Sequence, residues 1–344
     1  MLWRRIAATT AAVVTVAGAA GCADSRPDAQ PGGVVEVTVL TGFGSQPQDA
    51  ALLMADANGH FDRAGLKVTV RPGKGTGDNI AVMLGGQADF AVVDLTGAII
   101  QIPKIAQGGI RAVAAIYQKS ISTITTLPGR GIDRPTDLEG KTVGFQPGGV
   151  NHTLFPAYAA RAGIDASKVR WQQMPPAQIR ANLAAGRVDA VTETVIGTPG
   201  VRALAKAEPV VLPYGDVLSD LYGNVLITST DTIAADPDLV ARFRAAFLQG
   251  LEDTISDPAA AAAVFVQKNS GFEAGPAAEE ISQMQAYVRA GGVEIGTLDP
   301  HRVMQSIALL QGVGAVPGEL QLRPEDVVHI PCEPGVVAGR TCTA

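Results

Sequence analysis

Aromatic residues make up only 5% of the 344-residue chain, with two tryptophans and five tyrosines. That is too few for the broad stacking faces carbohydrate sites use, although Phe43, Tyr117 and Tyr222 could sandwich one flat ring or lie in the core. Charge is sparse as well, at 17% against about 25% in average chains. With alanine abundant and arginine outnumbering lysine, this reads as the composition of a GC-rich genome and carries no functional weight. No Lys/Arg cluster offsets a formal net charge of −6, so nucleic acid is excluded as a partner. Only three cysteines are present. Two of them, Cys332 and Cys342, lack a nearby histidine pair and make at most half of a zinc site, so no metal is expected. The GxSxG, HExxH and catalytic-cysteine patterns are missing, which argues against an enzyme, and no cofactor is implied. GKGTGDN satisfies neither GxxxxGK[ST] nor GxGxxG, so it reads as a turn with Thr76 or Asp78 capping a helix.

No apolar run reaches the ~20 residues needed to span a bilayer. Ile6 to Gly18 is the first, about 13 residues long after Arg4 and Arg5, and reads as an export signal; the longest later alanine-rich run is Ala259 to Val266. Ala19, Ala20 and Gly21 before Cys22 resemble a bacterial lipobox, with Ala19 where leucine or a similar residue is usual. The expectation is a signal peptide over 1–21 and a diacylglycerol on Cys22. Each buried methylene of that lipid is worth ~0.8 kcal/mol of membrane binding. The alternative is ordinary secretion with an unmodified thiol. Cleavage takes the formal charge to −8, from 25 basic and 33 acidic residues. In an exported protein Cys332 and Cys342 most simply form a disulfide closing a loop in the tail, residues 326–344.

Residues 22–33 hold prolines, glycines and small polar residues, a flexible tether between lipid and body. Order begins with the β-branched run Val34 to Leu40, followed by a helical pattern from Gln48 to Asn58. A strand over Leu66 to Val70, a helix over Asn79 to Leu84 and a strand over Asp89 to Val93 follow. Short apolar strands alternating with helices of about ten residues are an α/β signature, with parallel strands and crossover helices expected. Gly86-Gln-Ala-Asp89 recurs as Gly186-Arg-Val-Asp189. This echo is either a helix C-cap followed by a strand, common to any α/β protein, or the trace of two lobes of similar construction. The second lobe would begin near Pro135 and run through the strand Thr142 to Phe145 to about Leu212. After a strand over Asn224 to Thr228, three or four long helical patterns, with Asp231, Asp238 and Asp299 near their starts, return to brace the first lobe. Lobe 1 is therefore drawn over 34–122 plus 228–325 and lobe 2 over 123–227, with two crossings forming a hinge.

ADANGHFDRAGLKVTV, LGGQADFAVV, DRPTDLEGKTVGF, LAAGRVDAV and DPDLVARFRAAFLQG, in this order, resemble signatures of the extracytoplasmic solute-binding proteins of ABC importers, in the nitrate/taurine/sulfonate and NMT1/THI5-like group. The resemblance covers about residues 34 to 270. It implies an α/β, two-lobe periplasmic-binding-protein-like fold of type II, and a monomeric receptor delivering solute to a permease and an ATPase. A lipid anchor would serve such a receptor by raising its effective concentration at the permease. A lipoprotein sensor on the same fold is the alternative class, which neighbouring transporter genes would separate from transport. The eukaryotic branch that makes the pyrimidine uses a cysteine-rich motif absent from this sequence.

In open α/β sheets ligands bind beyond the carboxyl ends of strands, where helix N-termini present free N–H groups and glycine permits close backbone approach. That rule selects Thr41, Gly42, Phe43 and Gln46 after the first strand, Gly75, Thr76, Gly77 and Asp78 after the second, and Asp94 and Thr96 after the third. In the second lobe it selects the stretch Gln146 to Thr153, with Gly148, Gly149, Asn151 and His152 before a helix from Leu154, and then Thr192, Glu193 and Thr194. Tyr222 is a stacking candidate. His152 would either bond the solute or cap its helix. Asp94 and Glu193 would either face the cleft or cap the next helix. A carboxylate facing inward repels a bare oxyanion and accepts hydrogen bonds from N–H groups. The expected solute is therefore an aminopyrimidine thiamine precursor or an amine-bearing compound, with sulfonate, taurine or nitrate as the alternative.

Overall fold

The computed structural model describes residues 33–105, 109–219 and 221–329. Cys22, Cys332 and Cys342, and so the expected signal peptide, lipid anchor and disulfide, lie outside the described residues. Among those described, no helix is long and apolar enough to cross a membrane, and no group of three or more His, Cys, Asp or Glu side chains could hold a metal ion.

The first half of the chain runs β1 (Val35–Leu40), β2 (Phe43–Gly44), α1 (Ala50–Ala57), α2 (His60–Arg63), β3 (Leu66–Arg71), β4 (Gly73–Lys74), α3 (Thr76–Leu84), β5 (Phe90–Asp94), α4 (Leu95–Gln101) and β6 (Ile110–Ala115). Next come β7 (Ser122–Thr126), β8 (Thr142–Phe145), α5 (Val150–Ala162), β9 (Arg170–Gln173), α6 (Ile179–Ala184), β10 (Ala190–Thr194), α7 (Thr198–Ala205), β11 (Val210–Pro213) and β12 (Asn224–Ser229). The chain then turns helical: α8 (Thr230–Ala235), α9 (Pro237–Ser256), α10 (Pro258–Lys268), α11 (Ala274–Val288) and α12 (Pro300–Gly312). Three of these helices open on Asp-Pro. Asp236, Asp257 and Asp299 each accept a backbone N–H from the first turn, and the following proline occupies a position whose N–H would have no partner anyway.

The strands form two five-stranded sheets, ordered β3-β1-β5-β12-β6 and β9-β8-β10-β7-β11. The two orders correspond strand for strand, and the echo noticed in the sequence sits at equivalent places. Gly86 and Gly186 both have φ of 71°, the left-handed region that favours glycine. Asp89 Oδ2 accepts Thr38 N–H at 2.9 Å, and Asp189 Oδ2 accepts Thr142 N–H at 2.8 Å. Thr228 and Thr126, on the strand beside each, donate to the Asp89 and Asp189 carbonyls. The molecule is a two-lobe α/β protein whose lobes repeat one construction.

Three expectations need correction. The sheets are not wholly parallel: β12 runs antiparallel to β5 and β6, and β7 antiparallel to β10 and β11. These two strands enter directly from the crossings between lobes, so no crossover helix reverses them. The expected change of lobe between 227 and 228 falls inside β12, all of which pairs in the first sheet. Finally, α3 and α5 start earlier than the sequence suggested. Thr76 is the first residue of α3 and not its cap, and α5 begins at Val150 and carries Pro156 in its interior.

The crossings run side by side where residues 116–120 meet residues 221–224. Ile116 and Tyr117 donate to Asn224 O, Gly223 donates to Tyr117 O, and Ser120 to Leu221 O, all within 2.8–3.1 Å. One apolar cluster draws on both lobes, including Ala91, Ile227, Val143 and Leu154. A second, around Leu52, Phe90, Phe243 and Phe247, covers the other face of the first sheet, where α1 packs on α9 and α10. A small third cluster around Leu183 and Val191 does so for the second sheet.

Candidate functional site: a cleft between the sheets

The strand ends of both sheets converge on a cavity of about 100 Å³. The first lobe supplies Gly42, Phe43, Gly75, Thr76, Asp94 and Asn224, and the second Ser122, Gly148, Gly149, Asn151, Glu193 and Thr194. Of the residues selected from sequence, Gly42, Phe43, Gly75, Thr76, Asp94, Gln146, Gly148, Gly149, Val150, Asn151, Thr192, Glu193 and Thr194 line this one space. Gln46 lies on a larger adjoining chamber of about 640 Å³.

Other selected residues are not brought to the cavity, Gly77 and Asp78 in the first turn of α3 among them. Thr41 is buried and braces the antiparallel β2–β4 pair, donating to Gly44 O and accepting Gly73 N–H. Thr96 is buried in α4. His152 stacks on Phe145 at 4.1 Å and meets Trp171 edge-on at 4.6 Å; burial lowers its pKa and so favours the neutral ring. Tyr222 is core: its hydroxyl accepts Asp299 N–H, and Arg302 lies 4.1 Å over its ring.

Sequence reasoning missed Gln48, Ile121, Ser122 and Asn224, which also line the cavity. Ser122 and Asn224 begin β7 and β12, and because these strands are reversed their amino ends face the cleft. A search of carboxyl ends passes over them. Only the side-by-side crossings, invisible in one-dimensional pattern, could have revealed them.

Asp94 closes β5 and caps α4. Its Oδ1 accepts Gly97 N–H at 3.0 Å, while Oδ2 is buried with no partner among the described residues. Burial pushes its pKa up to about 7, only partly offset by hydrogen bonds from Gly97 and Thr96. Gln48 Oε1 is likewise buried and unpartnered. Leaving such acceptors unmet costs on the order of 1–3 kcal/mol each. A solute presenting N–H donors would recover that cost.

Glu193 differs. Its carboxylate receives Arg180 Nε at 2.7 Å and the Thr194 N–H at 2.8 Å, so its charge is already met. Arg180, from α6, also reaches Glu280 of α11 at 2.8 Å. Burial alone would lower the Arg180 pKa, but the two carboxylates hold it above its ordinary value. Burial pushes Glu280 up to about 7 against the pull of Arg180. Since α11 packs in the core of the first lobe, this ion pair and the Arg202–Glu279 pair beside it join the two lobes. Arg180→Met should therefore destabilise the protein by about 3 kcal/mol at pH 8, because removing one partner strands buried charge. The loss should shrink at pH 5.5, where Glu280 is protonated in the fold. Urea midpoints at the two pH values check this, and a loss equal at both contradicts it.

The jaws meet backbone to backbone. Gly75 has φ of 105°, and a Cβ placed on it would lie 2.6 Å from Gly148 O. Gly75 and Gly149 are the N-caps of α3 and α5, neither with a side-chain cap, so free N–H groups of both helices flank the cavity.

Residues 46–261 match the family model described as NMT1/THI5 like. Among similar proteins, the formylaminopyrimidine-binding protein of Halalkalibacterium halodurans is 24% identical over 209 residues, covering 60% of this chain and 62% of that protein. The riboflavin-binding protein RibY of Chloroflexus aurantiacus is 24% identical over 255 residues, covering 74% of this chain and 72% of that protein. The crystal structure of the periplasmic aliphatic sulphonate-binding protein SsuA from Escherichia coli superposes with a TM-score of 0.66 at 17% identity, covering 91% of this chain and 98% of that one. The fold is the one that binding protein has. With its family match extending over more than half of the sequence, the chain belongs to the NMT1/THI5-like family.

Proposed function

We propose that this chain is the extracytoplasmic solute-binding receptor of an ABC importer, closing its lobes on one small organic solute and handing it to a permease and its ATPase. It binds and does not catalyse. The solute bears N–H donors, an aminopyrimidine of the thiamine-precursor type or another amine-bearing compound. The observation that carries this reading is Asp94, a buried carboxylate at the cleft with one oxygen unmet. A bare oxyanion beside it would meet like charge, and an amino group would complete its hydrogen bonding. The formylaminopyrimidine-binding relative points to the same chemistry. Phe43, on the cavity wall, supplies a face for one flat ring.

Sulfonate, taurine or nitrate capture for the same class of transporter is the second reading, favoured by the uncapped N-termini of α3 and α5, which attract anions. A thermal-shift panel of aminopyrimidines, taurine, alkanesulfonates and nitrate separates the two. Ligand at a hundred times its dissociation constant adds ~2.7 kcal/mol. Aminopyrimidines are expected to raise the midpoint; a rise with nitrate or plain sulfonates alone overturns the first reading. The receptor is a monomer, tethered by lipid on Cys22 to the outer face of the cell membrane. Labelling with a fatty-acid analogue, lost in Cys22→Ala, tests the anchor.

A further inference from the structure

Behind the cavity at Asp94 the cleft continues. The inner space, about 100 Å³, falls below the roughly 300–1,000 Å³ of small-molecule sites, whereas the adjoining chamber of about 640 Å³ falls within it. Phe43, Gln48, Gln146, Glu193 and Thr194 line both, so the two adjoin. Gln48 stands at their junction with its side-chain oxygen buried and unpartnered. The outer walls change character: Pro176, Ala203, Leu204, Phe272 and Pro276 are apolar, and Leu204 stands 51% exposed, an apolar surface that a bound group would cover. The charges there are Glu193, Glu273 and Glu280 against Arg180 and Lys206. Arg180 is bound to two of those carboxylates, and three carboxylates against two cations give the lining a formal charge of −1, which disfavours an anionic substituent.

We propose that the outer chamber is a second subsite. It takes an uncharged or cationic, partly apolar substituent carried by an N–H-bearing head in the inner cavity, while Gln48 Oε1 accepts a hydrogen bond from the group joining them. This rests on the reading of Asp94 as the acceptor for that head, and names the rest of the solute. The receptor thus selects a two-part compound over the bare head.

Titration calorimetry with two probes tests it: 4-amino-5-hydroxymethyl-2-methylpyrimidine, the head alone, and thiamine, the same head bearing a cationic ring. Thiamine is expected to bind the intact receptor at least tenfold more tightly. Ala203→Trp, which fills the outer chamber, should erase that advantage. Leu204→Arg, at an exposed position that leaves folding intact, should reduce it about tenfold by placing a cation beside the thiazolium. Equal affinity for the two probes, or an advantage that survives both substitutions, overturns the second subsite while leaving the reading of Asp94 standing. If neither probe binds the wild type, the reading of Asp94 falls and the subsite with it.

Discussion

Asp94→Asn is expected to bind aminopyrimidine at least a hundredfold more weakly than the wild type, yet to unfold at a higher temperature above pH 7. The two effects have one cause. In the unfolded chain the Asp94 carboxyl ionises near 3.8, and in the fold burial pushes it up to about 7. A pKa raised on folding means that the group's contribution to stability is fully present below about pH 4 and is lost as pH rises through 7. Three pKa units correspond to roughly 4 kcal/mol at most. An asparagine at this position would not titrate, and its side-chain oxygen would still accept the Gly97 N–H, so the variant escapes the loss. It would also present an amide where the solute's amino group expects a carboxylate. Thermal unfolding at pH 5 and pH 8, with calorimetric binding at pH 8, checks both halves. A variant less stable at pH 8 and unaltered in binding would make Asp94 an ordinary helix cap.

Gly75→Ala should cut solute affinity by tenfold or more by holding the jaws apart. The added methyl would lie 2.6 Å from the Gly148 carbonyl across the cleft, and the backbone φ of 105° is one that L side chains rarely adopt. Strain of this kind costs about 1–3 kcal/mol, so part of the effect is local. The deciding observable is closure itself. Small-angle scattering of the wild type should show a decrease in radius of gyration on adding solute, which the variant should not reproduce at saturating concentration. A variant that compacts as the wild type does would mean that the glycine contact does not limit closure.

Strands and helices were legible because their burial follows simple periods: β1 alternates and β5 is buried throughout, while Asp231 and Asp238 fall in the first turns of α8 and α9 and Asp299 caps α12. The Gly-x-x-Asp echo was legible as a doubled lobe because each aspartate ties down the strand beside it. The start of α5 was not, since Pro156 suggests a first turn. The helix begins upstream, where the Asn151 side chain donates to Thr123 O and Glu193 O, contacts with residues distant in sequence. His152 and Tyr222 were misplaced for a related reason: their partners, Phe145 with Trp171 and Arg302, come from other elements. Arg180 gave no local signal at all. Its role exists only because α11, far along the chain, returns to the cleft with Glu280.

The most direct test is a crystal structure of the receptor with 4-amino-5-hydroxymethyl-2-methylpyrimidine bound. The account predicts the ring against Phe43 between closed lobes, its amino nitrogen about 2.7–3.2 Å from Asp94 Oδ2. Solute lodged outside the cleft, or seated there with its amino group turned away from Asp94, would contradict it.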